Sequence, residues 1–438
     1  MDKMADVLGR AGAWCGQNKY LSAIKNAFQN FMPLTIAGAI GVLWCNVLVN
    51  DQTGLGLFFK PIMALDFLNP AFQAVNFCTI SCITVGITLG IAQEIGIWNM
   101  GAERAGYIPG LVGLAAWLSV TNTSHMVDGA KEAFTGIAGN ELGATGLFTG
   151  MIIGVLSVEL FCFFEKQDAL KIKMPEQVPP GVARAFEVLV PATITLIITA
   201  CIGSACYNLT GLYLNDVIKN GIQGPLGAVG ATVPGVMIIY LVIMLFWLVG
   251  IHGNNMLSAV KEALFTPLML ENIETFSKTN DAKSDELHIF AMAWLQMFGE
   301  FGGSGVTIGL VISILVFSKR EDNRTIAGIS LVPGLFNINE TVTFGIPMVL
   351  NPILGIPFVF ACLVTILVGY VLTVIGFCPV ACLTVPWTTP PIVFGFLATG
   401  ANVMGAVTQA ILIVVSTVIY VPFLISYEKY QNKQAAEA

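Results

Sequence analysis

Charge is what this sequence most lacks. Lys plus Arg number 20 and Asp plus Glu 27 in 438 residues, 11% together, where soluble domains carry about 25%. With 55% apolar residues and a mean hydropathy of +0.79, a set of water-facing soluble domains is excluded. A strongly basic patch is missing too, so nucleic acid is not an expected partner. The ten cysteines form no CxxC pair and mostly sit in apolar runs, as Cys78, Cys82, Cys201, Cys206, Cys378 and Cys382 do. That argues against a zinc site or a disulfide framework and for small apolar helix residues. The first 27 residues hold Lys3, Arg10, Lys19 and Lys25 without a continuous apolar stretch. They read as an amphipathic cytoplasmic lead-in rather than a cleavable signal peptide.

What is present is a series of apolar runs, about ten of them, each near the roughly 20 residues that cross a bilayer. In the first half they cover 28–49, 72–92, 105–120, 144–165 and 186–206. Basic residues cluster before the first run and again at Lys166, Lys171, Lys173 and Arg184, with Lys60, Arg104 and Lys131 nearly alone between them. Both clusters are expected in the cytoplasm, and the four intervening runs return the chain to its starting side. The stretch from Lys166 to Arg184, with Met174-Pro175 and Pro179-Pro180-Gly181, reads as a stiff connector. The next span is expected near Phe186, with Pro191 in its first turns.

The second half is less regular. No Asp, Glu, Lys or Arg occurs from Asn220 to Val260, and a run at 232–250 ends at Gly250-Ile251-His252-Gly253-Asn254-Asn255. A polar loop at 271–288 precedes a run at 289–317 that Gly302-Gly303-Ser304-Gly305 interrupts. Lys319, Arg320 and Arg324 mark a cytoplasmic turn, and Glu428 and Lys429 after the last run, 402–426, place the C-terminus on the same side. From Thr325 to Tyr427 the single charged residue is Glu340. Chain broken by Gly, Pro and Asn, as from Phe336 to Pro347, makes a poor continuous helix. Such breaks persist at membrane depth only when buried in protein or lining a cavity, and many transporters bind substrate there. Re-entrant hairpins are therefore expected around 298–306 and 335–350.

Four places could carry chemistry. A carboxylate at bilayer centre costs at least ~2.5–3.5 kcal/mol, so Glu340 either faces a ligand or caps a broken helix. Its neighbour Asn339 offers donor and acceptor, as sugar hydroxyls require. His252 lies between glycines that leave room for a ligand, although a lone histidine is often a satisfied core residue. Together, His252 and Glu340 could orient one sugar hydroxyl, and either could take its proton; Asn254 and Asn255 add amide groups on the same turn. Trp387, in Val385-Pro386-Trp387-Thr388-Thr389-Pro390-Pro391, could stack on a sugar ring or serve as an interfacial-belt tryptophan. Glu300, beside the glycine-rich break, ranks below Glu340. The break itself lacks the lysine of a nucleotide loop. His125 and His288 lie in polar loops and are expected to be solvated.

At these residues the sequence resembles the enzyme IIC permeases of the lactose/cellobiose/diacetylchitobiose phosphotransferase family. The resemblance lies in Asn18-Lys19-Tyr20-Leu21, Phe31-Met32-Pro33-Leu34, Val178-Pro179-Pro180-Gly181-Val182-Ala183-Arg184-Ala185-Phe186-Glu187, the Gly250–Gly253 and Gly302–Gly305 segments, Asn337-Ile338-Asn339-Glu340 and Trp387-Thr388-Thr389-Pro390-Pro391, in that order. Thr341 stands where the family usually has proline, and Glu300 where relatives commonly have an uncharged residue. The resemblance implies an all-α polytopic protein of the bacterial cytoplasmic membrane, with about ten transmembrane helices and two re-entrant hairpins. It implies a homodimer with both termini cytoplasmic. Residues 1–27 would be the lead-in, 28–206 the interface half, 207–427 the sugar-carrying half and 428–438 a tail. It places a β-linked disaccharide at His252, Glu340, Asn339, Asn255 and Trp387, with phosphate supplied by a cysteine on a separate IIB protein fed by a IIA protein. No metal or organic cofactor and no catalytic residue of the chain's own is implied. A lone IIC chain suits the cellobiose and chitobiose branch. On the residues alone two rivals stay open: a proton-driven secondary transporter in which His252 and Glu340 form a relay, and an intramembrane enzyme acting on lipid-linked sugar.

Overall fold

The protein is described here from a computed structural model, which covers residues 10, 14, 17–51, 54–125, 134–175, 177–346 and 348–437. Lys131, Pro347 and most of the N-terminal lead-in lie outside them. Helix dominates. Among the described residues the one sheet is a two-residue antiparallel pairing of Ser124–His125 with Phe134–Thr135.

The helical membrane architecture expected from composition is present. Five helices are long and apolar enough to cross a bilayer: Lys19–Leu48, Ala144–Glu165, Pro180–Thr210, Gly355–Val374 and Val403–Gln434. The number rises to seven if two bent helix pairs each count as one span. The apolar runs are more numerous than these helices because Gly and Pro cut several of them. The 289–317 run becomes Met292–Gly299 and Ile308–Phe317, each too short to span alone. Irregular chain from Glu300 to Thr307 separates the two. A second interruption follows Glu321–Leu335, where Phe336–Asn339 leads into the short helix Glu340–Gly345. The helix expected near Phe186 starts earlier, with Pro180 in its first turn, so Pro191 lies well inside it. Proline suits that first position because its missing N–H would be unpaired there anyway. The last helix continues unbroken to Glu437.

Beyond residue 16, contacts divide the chain into two compact units. One joins Gln17–Gly38 to Val75–Ala228; the other joins Ala39–Ala74 to Val229–Ala438. In the first, the helices Ile83–Met100, Ile108–Val120, Ala144–Glu165 and Pro180–Thr210 pack on one another. Small residues let their backbones close: a Cβ on Gly113 would fall 2.3 Å from that of Ala92, and one on Gly150 would meet the Thr88 hydroxyl at 2.2 Å. This is the contact that lipid-embedded helices favour, since hydrocarbon gives them no hydrophobic drive to associate. At the end of this bundle Glu165, nearly fully buried, accepts from Arg184 Nη1 at 2.8 Å and from Arg104 Nε at 2.9 Å, and Glu187 accepts from both arginines. This ties the connector to the bundle.

In the second unit, Val403–Glu437 packs against Ile308–Phe317 and Gly355–Val374. Buried Gln409 on it donates to Met297 O (3.0 Å) and accepts from the Ile392 and Gly395 amides (both 2.7 Å). Tyr420 donates to Gly305 O at 2.7 Å. Glu428 accepts from the Ser318 hydroxyl and from Asn323 Nδ2, so the 318–324 turn and the end of the last helix lie together.

Arg184→Met removes two of the hydrogen bonds at this charged cluster, each worth about 1.5–3 kcal/mol to a charged group. The expected result is a lower Tm for the detergent-purified protein, partly restored by Arg184→Lys. An unchanged Tm would mean that Arg104 alone neutralises Glu165.

Candidate functional site

The site grows from three interruptions of helix in the second unit. The first is the corner at Gly250–His252. Gly250 takes φ +81, a left-handed conformation that glycine adopts without strain. His252 then caps the helix Gly253–Thr279, its Nδ1 accepting from the Asn255 amide at 3.3 Å. Gly253 is required by packing, because a Cβ there would sit 2.0 Å from Ile243 O.

The second is the Glu300–Thr307 loop. Gly302, Gly303, Gly305 and Val306 all have positive φ, so four near-consecutive residues turn the left-handed way. Bonds from Gly303 N to Glu300 O (2.9 Å) and from Val306 N to Gly303 O (3.0 Å) close it internally. Thr307 Oγ1 donates to Gly302 O at 2.6 Å.

The third is Phe336–Asn339. Asn337 has φ +63, which asparagine tolerates better than most residues. Its Oδ1 accepts from Gly302 N at 2.6 Å, and its Nδ2 donates to Trp387 O (2.5 Å) and Thr389 O (3.0 Å). Asn339 is buried, with Nδ2 donating to Ser304 O at 2.8 Å. The three interruptions are thereby stitched together, and Leu350 N donating to Leu248 O at 2.8 Å holds the Glu340 hairpin to the His252 corner.

At their meeting point His252 Nε2 stands 3.6 Å from Glu340 Oε1, with 36% and 45% of the two side chains exposed. The gap is longer than a hydrogen bond and suits one oxygen held between both groups. Behind the imidazole lies the Trp247 ring, with centroids 4.5 Å apart. Asn255 is exposed on the first turn after His252, and Trp387 keeps 42% of its surface open.

Of the six residues singled out in the sequence, His252 and Glu340 face each other, and Asn254 and Asn339 meet at Ser304. Trp387 joins through its carbonyl, held by Asn337. Asn254 and Asn339 have their amide groups engaged with the protein: Asn254 donates to Ser304 Oγ at 2.9 Å and accepts from Lys261 Nζ at 3.1 Å. Sequence reading missed Lys261, Tyr240, Ser304 and Asn337 as members of this constellation. Lys261 had a usable signal, since it follows Asn254 by seven residues, two helical turns on the same face. Glu300, ranked low, forms a buried ion pair with Lys261 and accepts from Tyr240 Oη at 2.8 Å. His288, expected to be solvated, pairs with Glu271 at 2.7 Å.

A polytopic helical protein whose helices break around facing polar groups shares the construction of many transporters. The family model "Phosphotransferase system, EIIC" matches residues 25–362, and the chain belongs to that family. It is 32% identical, over 98% of its length and 94% of the relative's, to the oligo-beta-mannoside-specific EIIC component of Bacillus subtilis. It is 28% identical to the cellobiose-specific EIIC component of Lactococcus lactis, over 98% of each chain. Its fold matches the crystal structure of the transporter ChbC, the IIC component from the N,N'-diacetylchitobiose-specific phosphotransferase system, with TM-score 0.87, 28% identity and 97% of both chains covered. The chain is thus a multi-pass component of the phosphotransferase system in the cytoplasmic membrane, a membership that implies a sugar substrate and a IIB partner.

A Cβ on Gly303 would lie 2.6 Å from Asn339 Cβ, at a φ of +89. Gly303→Ala is expected to push the two loops apart and cost about 1–3 kcal/mol in backbone strain alone. The readouts are a lower Tm and weaker sugar binding by the purified protein; unaltered values for both would show that the loops part without consequence.

Proposed function

We propose that this chain is the sugar-translocating permease of a phosphoenolpyruvate-dependent phosphotransferase system and that it takes a β-linked disaccharide of the cellobiose or diacetylchitobiose type. The observation that carries the reading is the 3.6 Å approach of His252 and Glu340 at broken helices in a chain of this family. The names of its relatives, specific for oligo-beta-mannosides, cellobiose and N,N'-diacetylchitobiose, support the substrate class.

In this mechanism the sugar's C6 hydroxyl sits between His252 and Glu340. The Asn255 amide donates to Nδ1, so the lone pair is on Nδ1 and the neutral ring carries its proton on Nε2. His252 therefore donates to the hydroxyl oxygen, and Glu340 accepts the hydroxyl proton. As the oxygen attacks phosphorus, the P–S bond to the IIB cysteine breaks and an O–P bond forms. The proton passes to Glu340 and the IIB thiolate departs. Exposed Asn255 and Trp387 contact the rest of the sugar, the indole by stacking. The unit that contains Val229–Ala438 holds every one of these residues and acts as the carrier. The homodimer follows from the family resemblance.

The test is uptake of a panel of radiolabelled β-disaccharides by cells expressing this chain, with and without the general phosphotransferase proteins, IIA and IIB. Phosphorylated sugar should accumulate only with them. Free sugar accumulating without them, and stopped by a proton uncoupler, would overturn the reading in favour of a proton-driven carrier. Glu340→Gln should lower sugar-phosphate formation about 10²-fold or more, the usual contribution of a positioned proton acceptor, while insertion into the membrane is retained. Near-normal turnover in that variant would remove Glu340 from the role.

A further inference from the structure

Lys261 and Glu300 form a charged pair in the middle of the second unit, with only 7% and 17% of their side chains exposed. Taking two charges out of water is costly and often adds nothing to stability, so the pair calls for a use. Its surroundings are polar and directional. Glu300 Oε1 also accepts from Tyr240 Oη. Lys261 Nζ reaches on to Asn254 Oδ1 at 3.1 Å, and Asn254 Nδ2 donates to Ser304 Oγ at 2.9 Å. The Ser304 carbonyl then accepts from Asn339 Nδ2 at 2.8 Å. Asn254 is two residues from His252, and Asn339 is adjacent to Glu340. The chain of contacts therefore begins at a buried charge and ends one residue from one member of the reactive pair, passing two residues from the other.

We infer that Lys261, held by Glu300, is a positioning residue for the phosphorylation reaction: through Asn254, Ser304 and Asn339 it sets the separation of His252 and Glu340. This rests on the functional reading above. The ammonium allows only one orientation of the Asn254 carboxamide, because it can donate but cannot accept. With Oδ1 turned to Lys261, Nδ2 must face Ser304. A neutral residue at 261 would release that constraint and let the first turn of the Gly253 helix shift relative to the Ser304 loop. The sugar would still be held by its other contacts, but its reacting hydroxyl would be misplaced. A displacement of about 1 Å at a reacting centre can cost about 10²-fold in rate.

The experiment uses the full chain and the disaccharide that the wild type phosphorylates best. It measures equilibrium binding by the purified protein and the rate of sugar-phosphate formation at saturating sugar in cells supplied with IIA and IIB. Lys261→Met should lower the rate about 10–100-fold, with a change in affinity of less than about threefold. Ser304→Ala, which leaves the carbonyl for Asn339 but removes the acceptor for Asn254, should move the same way by a smaller factor. The double variant Lys261→Met/Glu300→Gln removes both charges, so it should recover the Tm that Lys261→Met loses, yet it should not recover the rate. A double variant with wild-type turnover would overturn the inference, because the pair would then matter only for charge balance. So would Lys261→Met turning over normally. The coupling is also read without sugar: Tm changes for Lys261→Met and Asn254→Ala should be non-additive when combined, and additive changes would overturn it. A wild type that makes no sugar phosphate would sink the functional reading, and the Tm cycle would then decide this inference alone.

Discussion

Hydrocarbon offers no partner for a backbone N–H or C=O, so every place where a helix stops at membrane depth must find its hydrogen bonds inside the protein. The second unit has three interruptions of helix close together, and several of its polar side chains serve them. Asn337 covers an amide of one loop and two carbonyls of another. Asn339, Thr307 and Tyr420 each cover a carbonyl of the Glu300–Thr307 loop. Gln409 covers the Met297 carbonyl of the short helix before that loop and two amides at the start of the helix Val393–Ala398. With these side chains committed to the backbone, His252 and Glu340 remain partly exposed and unbonded to each other.

The same constraint explains why charge is so sparse and so local. Outside the turns and connectors, Lys261 and Glu300 are paired and nearly enclosed, whereas His252 and Glu340 are partly open and too far apart to satisfy each other. One pair is closed and structural in its geometry; the other is left incomplete.

Much of this was legible from residues alone. The helical membrane class follows from the scarcity of charge, and the two breaks follow from Gly302–Gly305 and Phe336–Asn339, where glycine and asparagine replace helix formers. His252 and Glu340 stood out because titratable groups are rare in apolar chain, and they do meet. What was not legible depends on three-dimensional pairing. Glu300 looked like a minor carboxylate because its partner, Lys261, is 39 residues away in the chain. The bonds of Asn254 and Asn339 to the Ser304 loop were not legible, because a carboxamide's chemistry is the same whether it faces a sugar or a serine. The number of spanning helices was blurred for a related reason: an apolar run counts as one segment until the backbone shows where it breaks.

The last helix imposes a consequence of its own. Gln409, Tyr420 and Glu428 contact three separate parts of the second unit: the Met297 end of one helix, the Gly305 loop and the Ser318 turn. At 1.5 Å per residue the first two anchors are spaced by about 16 Å, three full turns, and so share one face. The helix is in effect a graduated rod against which the interruptions are registered. Substitutions on its outer face change nothing in that registration, but one inserted residue would rotate every later mark by about 100°. Residues on the outer face can therefore change without moving an anchor, whereas the number of residues between Gln409 and Glu428 cannot change without displacing one.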